Sequence, residues 1–428
     1  MSRFVRTRCP LAPIGLLMLA SLLVLLSGCA AQPQATPTPT KTPRVAAPPT
    51  TPAPQAPAAP VTDTPAPTVQ PAPSATPAPT VTPAALAPQA PATPEPTQPP
   101  TPDPNLIVPA NDPGISPFTG LRPADPSVLQ RRPLAIKITN DADAQQKQSD
   151  LNKADIIVES RVEYSETRLT AIYQSQDAPR VGPIRSARLI DIELPAIFDA
   201  VLCFSGGVEP VRQKLYDSDL GDHILEQALH GASFFRDMSV GGVSWNTLFA
   251  NTTTLWDTST QRGWNVAPQS SAAWVFSVGA PAGSKTASRI DLAYPRFKVA
   301  WVYDSGTGRW QRWSGGQPHM DQADGQQVSA ANIVVLGANH VVTLIVEDGT
   351  ERRITDGICI NCSIEIQLWG EGPLKILRDG KVFEGKWVRP ERHAPFRFVD
   401  AAGVDIPLKP GNSWWQVVPL DMQVTVNP

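Results

Sequence analysis

The sequence predicts an α+β fold, in which an N-terminal mixed α/β domain is followed by a mainly antiparallel β domain. Strand-like apolar runs alternate with helical patterns over residues 115–285, whereas short alternating runs separated by Gly, Asp and Pro fill residues 286–428. A proline-rich segment precedes both. We therefore divide the chain into a leader, residues 1–29, a tether, residues 30–114, and these two domains.

The leader has the pattern of a secretory signal. Three arginines within the first eight residues precede an apolar run, residues 11–26, which is shorter than the ~20 residues that a transmembrane helix needs. The run ends in Leu-Ser-Gly-Cys, which resembles the bacterial lipobox. We expect lipid attachment at Cys29, with the membrane as a partner and the extracytoplasmic face as the location. The alternative is an ordinary signal peptide with a chance cysteine.

The tether is predicted to be disordered. Its residues 30–104 hold 25 of the chain's 48 prolines and five charged residues, with no apolar periodicity from which a core could form. A polyproline II chain of this length reaches on the order of 230 Å. The tether would therefore hold the folded part away from a membrane.

The charge balance argues against a nucleic-acid partner. The formal net charge of −3 becomes −6 once the three leader arginines are removed. A strongly basic surface, which phosphate backbones require, is therefore not expected.

Three cysteines fall in the folded part. Cys359 and Cys362 form a C-x-x-C pair within GICINCSIEI, which is β-branched on both sides and predicts a strand and turn. A structural disulfide or two free thiols fit this context. A redox centre would use a helix N-terminus, and zinc would need four suitably spaced ligands. Cys203 is expected to be a buried apolar residue, and no metal or cofactor is expected.

The first domain begins with strand patterns. A β-branched run at 134–138 is followed by a strand at 155–164, whose period of two places Glu159 and Glu163 on one face. The segment 168–176 alternates again and is expected to pair back as a hairpin.

The segment GPIRSARLID, residues 182–191, predicts a helix start. Gly182 suits the N-cap and the following proline suits the first helical position. Arg185 and Arg188 would then lie on one side of the first turn, where the helix dipole disfavours positive charge. Asp191 is a candidate partner for Arg188, and Glu159, Glu163 or Asp237 for Arg185; a bound anion is the alternative.

A glycine turn follows the next strand. The apolar run 199–204 leads into Ser205, Gly206 and Gly207 and then into a helical pattern at 208–217. A strand, glycine turn and helix N-terminus can bind an anion, although most such turns are only tight turns.

No nucleophile–base set is present. The segment 222–231 reads as a helix with His223 and His230 at its surface, and His319 with Asp321 resembles a turn more than a metal pair. Glu159 and Glu163, four residues apart on one predicted strand, would lie ~13 Å apart. This exceeds the ~5–9.5 Å that separates the two catalytic carboxylates of glycosidases.

The second domain reads as a series of β-strands. The segment 297–316 predicts a hairpin, and further strands are expected at 331–338, 340–348, 365–372, 380–389 and 413–421. Many tryptophans invite a carbohydrate-binding interpretation, but sheet packing explains them better. Trp414 and Trp415 are expected on opposite faces, so at most one of them is exposed.

Several motifs together resemble one bacterial family. SPFTGL (116–121), ADIIVE, TRLTAIYQS, GPIRSAR, FSGG, FFRD (234–237) and Asn246 occur in the order found in the YerB-like bacterial lipoproteins, a two-domain family of unknown function. The resemblance covers residues 115–425 and implies a lipid-anchored envelope protein, but no activity. Where relatives tend to carry histidine, this chain has Phe204 and Trp245.

The sequence thus favours a non-catalytic binding or regulatory module that recognises an anionic cell-wall polymer or an envelope protein. The alternative is a hydrolase or transferase that acts on wall polymer through the Glu/Arg cluster. No catalytic residue is assigned. The candidate ligand-binding residues are Arg185, Arg188, Ser205, Gly206, Gly207, Glu159, Glu163, Arg236, Asp237 and Asn246.

Overall fold

One twelve-stranded sheet runs through both the N-terminal and the C-terminal part of the chain in the computed structural model, which describes residues 105–268 and 274–428. These residues belong to one compact unit, residues 94–428. The predictions for the leader, for Cys29 and for the tether up to residue 104 lie outside the described residues.

Ten strands follow one another across the large sheet, and two more pair beside them. From one edge to the other the ten are Lys285–Thr286, Lys381–Arg389, Gly370–Arg378, Asn332–Val346, Ser413–Pro419, Ile156–Arg161, Thr167–Tyr173, Leu134–Thr139, Val201–Phe204 and Ile224–Glu226. Cys362–Gln367 pairs with Asn332–Val346, and Arg397–Val399 pairs with Lys381–Arg389.

The strand Ser413–Pro419 joins the two parts of this sheet. It pairs in parallel with Asn332–Val346 on one edge and with Ile156–Arg161 on the other. All seven of its residues are buried. The sequence predicted the strand but assigned it to the second domain alone. A strand that is buried on both faces reads as an apolar run whichever neighbours it has, so its pattern could not reveal this placement.

The remaining strands form one smaller sheet and three short pairs. The six-stranded antiparallel sheet contains Gln317–Pro318, Arg309–Ser314, Val299–Asp304, Arg289–Leu292, Val424–Asn427 and Ser329–Ala330. The pairs are Leu106–Ile107 with Phe276–Ser277, Ile354–Thr355 with Ile358–Cys359, and Phe234–Arg236 with Leu248–Ala250.

Helices are short and few in the described part of the chain. The α-helices are Ala142–Gln145, Leu194–Phe198, Glu209–Tyr216 and Thr252–Gln261. The 3₁₀ turns are Pro109–Asn111, Pro126–Gln130, Leu151–Lys153, Glu163–Ser165, Leu189–Ile192, Gly231–Ser233, Met238–Val240 and Ser244–Asn246. None of the described helices has the length and apolar character needed to cross a membrane.

Two apolar clusters cover the two faces of the large sheet. Trp414 and Trp415 enter different clusters, which confirms the predicted alternation, and both are buried. The Trp414 ring lies 5.2 Å from that of Trp301, and the Trp415 ring 5.3 Å from that of Trp274. These indoles are core residues, because both are buried and pack against aromatic rings outside the large sheet.

Several sequence predictions of elements are confirmed. They are the strand at 134–138, the hairpin formed by Ile156–Arg161 and Thr167–Tyr173, the strand Val201–Phe204, the helix Glu209–Tyr216 and the hairpin of Val299–Asp304 with Arg309–Ser314. The fold class is likewise α+β, with mostly antiparallel pairing toward the C-terminus.

The helix predicted to start at Gly182 was wrong. Residues 182–187 are extended, and the helical turn begins only after Arg188, which is the N-cap of Leu189–Ile192. The Gly182–Pro183 bond is cis. A Cβ on Gly182 would lie 2.8 Å from the carbonyl oxygen of Leu248, so the glycine is there for close strand approach rather than for capping.

Two further predictions were wrong. Residues 222–231 contain the strand Ile224–Glu226 instead of a helix, because this short apolar run completes the sheet edge. The segments 331–338 and 340–348 form one long strand, Asn332–Val346, because Gly337 continues the ladder rather than ending it.

Candidate functional site

Arg188 is part of a buried ion network. Its Nε lies 2.7 Å from Glu163 Oε2 and 3.2 Å from Glu347 Oε2, and Arg168 approaches Glu163 at 3.4 Å. All four side chains are buried. Burial disfavours ionisation of Glu163, but the Arg188 hydrogen bond and the Arg168 and Arg188 charges outweigh it and lower its pKa to about 2. Arg188 and Glu163 are therefore closed to a ligand.

Asp191 is not the side-chain partner of Arg188. Its carboxylate accepts the Arg188 backbone N–H at 2.7 Å and pairs with Lys137 Nζ at 2.8 Å, and both Lys137 and Asp191 are fully buried. The predicted ion pair between the Arg188 and Asp191 side chains is thus replaced by a capping hydrogen bond. Arg188 is the N-cap of the turn, and Asp191 accepts its backbone N–H from within that turn. Lys137 was missed, since a lysine in a β-branched run gave no signal of burial.

Glu159 belongs to a different network. It pairs with Arg312 at 2.8 Å and also accepts hydrogen bonds from Asn140, Thr167, Trp414 and Gln416. The carboxylate is fully buried. The prediction that Glu159 and Glu163 share a strand face was wrong, because the strand ends at Arg161 and Glu163 lies in the next turn.

Arg185 is the exception among the predicted charged residues. Over residues 105–268 and 274–428 its guanidinium makes no hydrogen bond or ion pair, whereas its backbone is held by Lys137 and Ser205. Its Cζ lies 5.7 Å from the centre of the Trp245 ring. Burial, and then the Arg188 charge, lower the pKa of Arg185, while Asp141 and Glu163 oppose this. None of the predicted carboxylates pairs with it, and Asp237 pairs with Arg180 instead, at 2.8 Å.

The loop that carries Trp245 is fixed from beneath. The buried Asn246 amide donates to Asp141 at 3.1 Å and to Asp143 at 2.9 Å. Arg236 donates to the Ser244 carbonyl at 2.9 Å. Asn246 is thus buried and positions the loop, whereas Arg236 is exposed and is tied to the loop by this bond.

The glycine turn is engaged with the Arg185 segment. The Ser205 N–H donates to the Arg185 carbonyl at 3.0 Å, and the Gly206 carbonyl accepts from Ala187 N–H at 2.9 Å. The Ser205 N–H is therefore not available to an anion. The turn supports the chain next to Arg185.

Exposed apolar side chains lie on the segment 235–245, which includes the tryptophan beside Arg185. Trp245 is 51% exposed and Met238 is 65% exposed, and Phe235 is also exposed. Arg180 lies over Phe249 with its Cζ 3.9 Å from the ring centre. The candidate site is thus the exposed Trp245 ring with the unpaired guanidinium of Arg185 beside it. The sequence signal for Trp245 was its place beside Asn246, one of the candidate binding residues.

The cysteines and histidines add no reactive group to this surface. Cys359 and Cys362 form a disulfide with a Cα–Cα distance of 5.5 Å, and Cys203 is a buried free thiol. His319 is buried and Asp321 accepts backbone N–H groups of residues 150 and 152. Within the described ranges, no three His, Cys, Asp or Glu side chains are grouped to hold a metal ion.

The chain is similar to known sequences over both of its folded parts. Residues 118–265 match the family described as "Protein of unknown function (DUF3048) N-terminal domain", and residues 290–415 match the corresponding C-terminal domain. "Putative lipoprotein YerB" of Bacillus subtilis (strain 168) is 29% identical over 312 residues, which are 71% of this chain and 86% of that protein.

A solved structure has the same fold. The crystal structure of YerB protein from Bacillus subtilis superposes with a TM-score of 0.59 at 24% identity and covers 73% of this chain and 99% of that chain. This likeness concerns the fold.

Proposed function

The chain belongs to the YerB-like family of two-domain proteins of unknown function, and on that premise we propose that it is a lipid-anchored envelope protein that binds an anionic component through Arg185 and Trp245. The binding is non-catalytic. The component is a cell-wall polymer or an acidic surface of an envelope protein.

The anchoring part of the proposal is supported by the leader and by the relative. Residues 26–29 carry the lipobox-like Leu-Ser-Gly-Cys, and the curated relative is named as a putative lipoprotein. Cys29 would carry the lipid, and the proline-rich tether would let the folded part reach through a wall layer. Labelling the full chain with a radioactive or alkyne fatty acid tests this. Label in the wild type that disappears in Cys29→Ala supports it, whereas label retained in Cys29→Ala contradicts it.

The binding part depends on one observation, which is the unpaired guanidinium of Arg185 over an exposed indole. A guanidinium presents a planar fork of donors that fits carboxylate and phosphate oxygens. An exposed indole offers an apolar face beside it. Such a combination favours a ligand that carries both an anionic group and an apolar or ring surface.

The enzymatic alternative would require Glu159 or Glu163 to meet substrate. Both are buried, and each is paired with a different arginine. A hydrolase would need at least one carboxylate that is open to substrate and poised for proton transfer. The non-catalytic proposal therefore fits these contacts better.

Binding is tested by sedimentation of the full chain with isolated cell envelopes, in a Cys29→Ala background that removes the proposed lipid anchor. Arg185→Ala should weaken retention several-fold, and added salt should do the same to the wild type. Arg262→Ala is the matched control, because Arg262 also lies over a tryptophan, with its Cζ 4.9 Å from the Trp264 ring. Equal retention of Arg185→Ala and wild type would contradict the proposal.

A further inference from the structure

A cleft of about 540 Å³ lies where the N-terminal and C-terminal parts of the chain meet. One wall is the helix Ala142–Gln145, and the other is the turn after Arg309–Ser314 together with Gln317–Pro318. Ligand sites commonly occupy clefts of ~300–1,000 Å³ between structural units. The cleft does not include Arg185 or Trp245.

The lining is rich in amides and has no formal charge. Four glutamines line it, namely Gln145, Gln146, Gln317 and Gln322, and none of the described residues that line it is Asp, Glu, Lys or Arg. Each carboxamide both donates and accepts hydrogen bonds. Gln317 and Gln322 make no side-chain hydrogen bond within the described ranges, so their amides are free for a ligand.

The histidine in the lining is also neutral. His319 Nδ1 lies 2.8 Å from Arg312 Nη1, which can only donate, so Nδ1 accepts. The proton is then on Nε2, which donates to Gln148 Oε1 at 2.6 Å. Burial, followed by the Arg312 charge, lowers the pKa of His319 well below its usual value. The imidazole therefore adds no charge to the cleft.

The apolar part of the lining is a half-buried aromatic ring, Phe297, with Pro318 and Met320. A ring of this kind packs against the C–H face of a sugar, while hydroxyl groups pair with the amides around it. Gln317–Pro318 is the edge strand of the smaller sheet, and its proline lacks an N–H. An extended peptide would therefore find a poor backbone partner there.

We propose that this cleft is a second binding site, which takes an uncharged saccharide of two or three rings through Gln317, Gln322 and Phe297. The cleft excludes charged ligands, because no lining group offers a counter-charge. The proposal is independent of the Arg185 site.

The test is titration of the full chain in detergent with tri-N-acetylchitotriose, followed by calorimetry or saturation-transfer NMR. The wild type should bind, and Gln317→Ala/Gln322→Ala should bind at least about tenfold more weakly. Gln261→Ala, an exposed glutamine at the end of another helix, should leave binding unchanged.

Four results would overturn the proposal, and the first three concern the cleft itself. One is absence of binding to the wild type, and another is unchanged binding in the double glutamine variant. The third is preference for the neutral peptide acetyl-Ala-Ala-Ala-amide over the sugar. Loss of sugar binding in Arg185→Ala would also contradict the assignment, because it would place the probe at the other site. If Arg185→Ala loses envelope retention but still binds the sugar, the result supports the Arg185 proposal and leaves the cleft proposal standing.

Discussion

Arg185 and Arg188 lie three residues apart in one segment, yet their surroundings are opposite. Arg188 is buried and is bonded to Glu163 and Glu347. Arg185 is half-buried, has no ion-pair partner in the described chain, and lies beside an exposed tryptophan. An arginine therefore stabilises the core through ion pairs at position 188, whereas at position 185 its guanidinium is available to a ligand.

The difference follows from backbone conformation. On a helix, residues three apart share a side, but in an extended segment an odd separation places side chains on opposite sides. Residues 182–187 are extended, so Arg188 turns inward where Arg185 turns outward. A buried arginine must be paired to be tolerated, whereas an outward one need not be.

The largest expected effect on stability comes from replacing the buried arginine, Arg188. Arg188→Ala should lower the free energy of unfolding by about 3–5 kcal/mol, because it leaves the carboxylates of Glu163 and Glu347 buried and uncompensated. Urea denaturation followed by tryptophan fluorescence measures this. Arg188→Met/Glu163→Leu should be less destabilised than Arg188→Ala, since it leaves fewer unpaired charges. A loss below about 1 kcal/mol in Arg188→Ala would contradict a paired core role.

The second effect is a pH dependence carried by Glu163. Its pKa falls from the ordinary 4.5 to about 2 in the folded state, so its contribution is complete above pH 4.5 and is lost as the pH falls toward 2. The shift corresponds to about 3 kcal/mol. Denaturation curves of wild type and Glu163→Gln should differ by an amount that shrinks over this range. If the difference in the free energy of unfolding between wild type and Glu163→Gln does not change with pH, the Glu163 carboxylate is not held ionised in the folded state.

A smaller effect is expected beneath the Trp245 loop. Asn246→Ala should cost about 1–3 kcal/mol, because it removes a buried donor that Asp141 and Asp143 share, although each keeps another partner. It should also weaken envelope retention, since the loop would no longer hold Trp245 over Arg185. Asn339→Ala is the control, because the Asn339 amide bonds to Gln367 at an exposed site. Equal envelope retention of Asn246→Ala and Asn339→Ala would show that the Trp245 loop does not contribute to binding.

The smallest expected stability effect is on the open side. Arg185→Ala should change the free energy of unfolding by less than about 1 kcal/mol, because the residue contributes only a partly exposed cation–π contact. Thermal unfolding of wild type and variant measures this. A loss as large as that of Arg188→Ala would mean that Arg185 also has a structural role.

Much of the strand framework could be predicted from the sequence. Alternation and β-branched runs identified Leu134–Thr139, the hairpin of Ile156–Arg161 with Thr167–Tyr173, and Val201–Phe204. These signals are local, so the sequence carries them directly. The ion-pair partners predicted for Arg185, by contrast, were wrong, because Glu159, Glu163 and Asp237 pair with other arginines.

The rest depended on long-range contacts. Gly-Pro at 182–183 suggested a helix start, but pairing with residues near Leu248 holds that segment extended. The partners of Arg188 include Glu347, which lies far along the chain, directly after the strand Asn332–Val346. Asp191 was predicted as the partner of Arg188 because it lies three residues away in the sequence. In the folded chain Arg188 pairs with Glu163 and Glu347 instead.

The most direct test of the account is photo-crosslinking from the loop beside Arg185. Ser244 is exposed and directly precedes Trp245, so p-benzoylphenylalanine placed there reports on a bound component without replacing Arg185 or Trp245. In cells that express the full chain, irradiation should yield a crosslinked envelope component that Arg185→Ala loses and Arg262→Ala keeps. The same crosslink in both backgrounds would contradict the claim that Arg185 is the open, ligand-binding member of the pair.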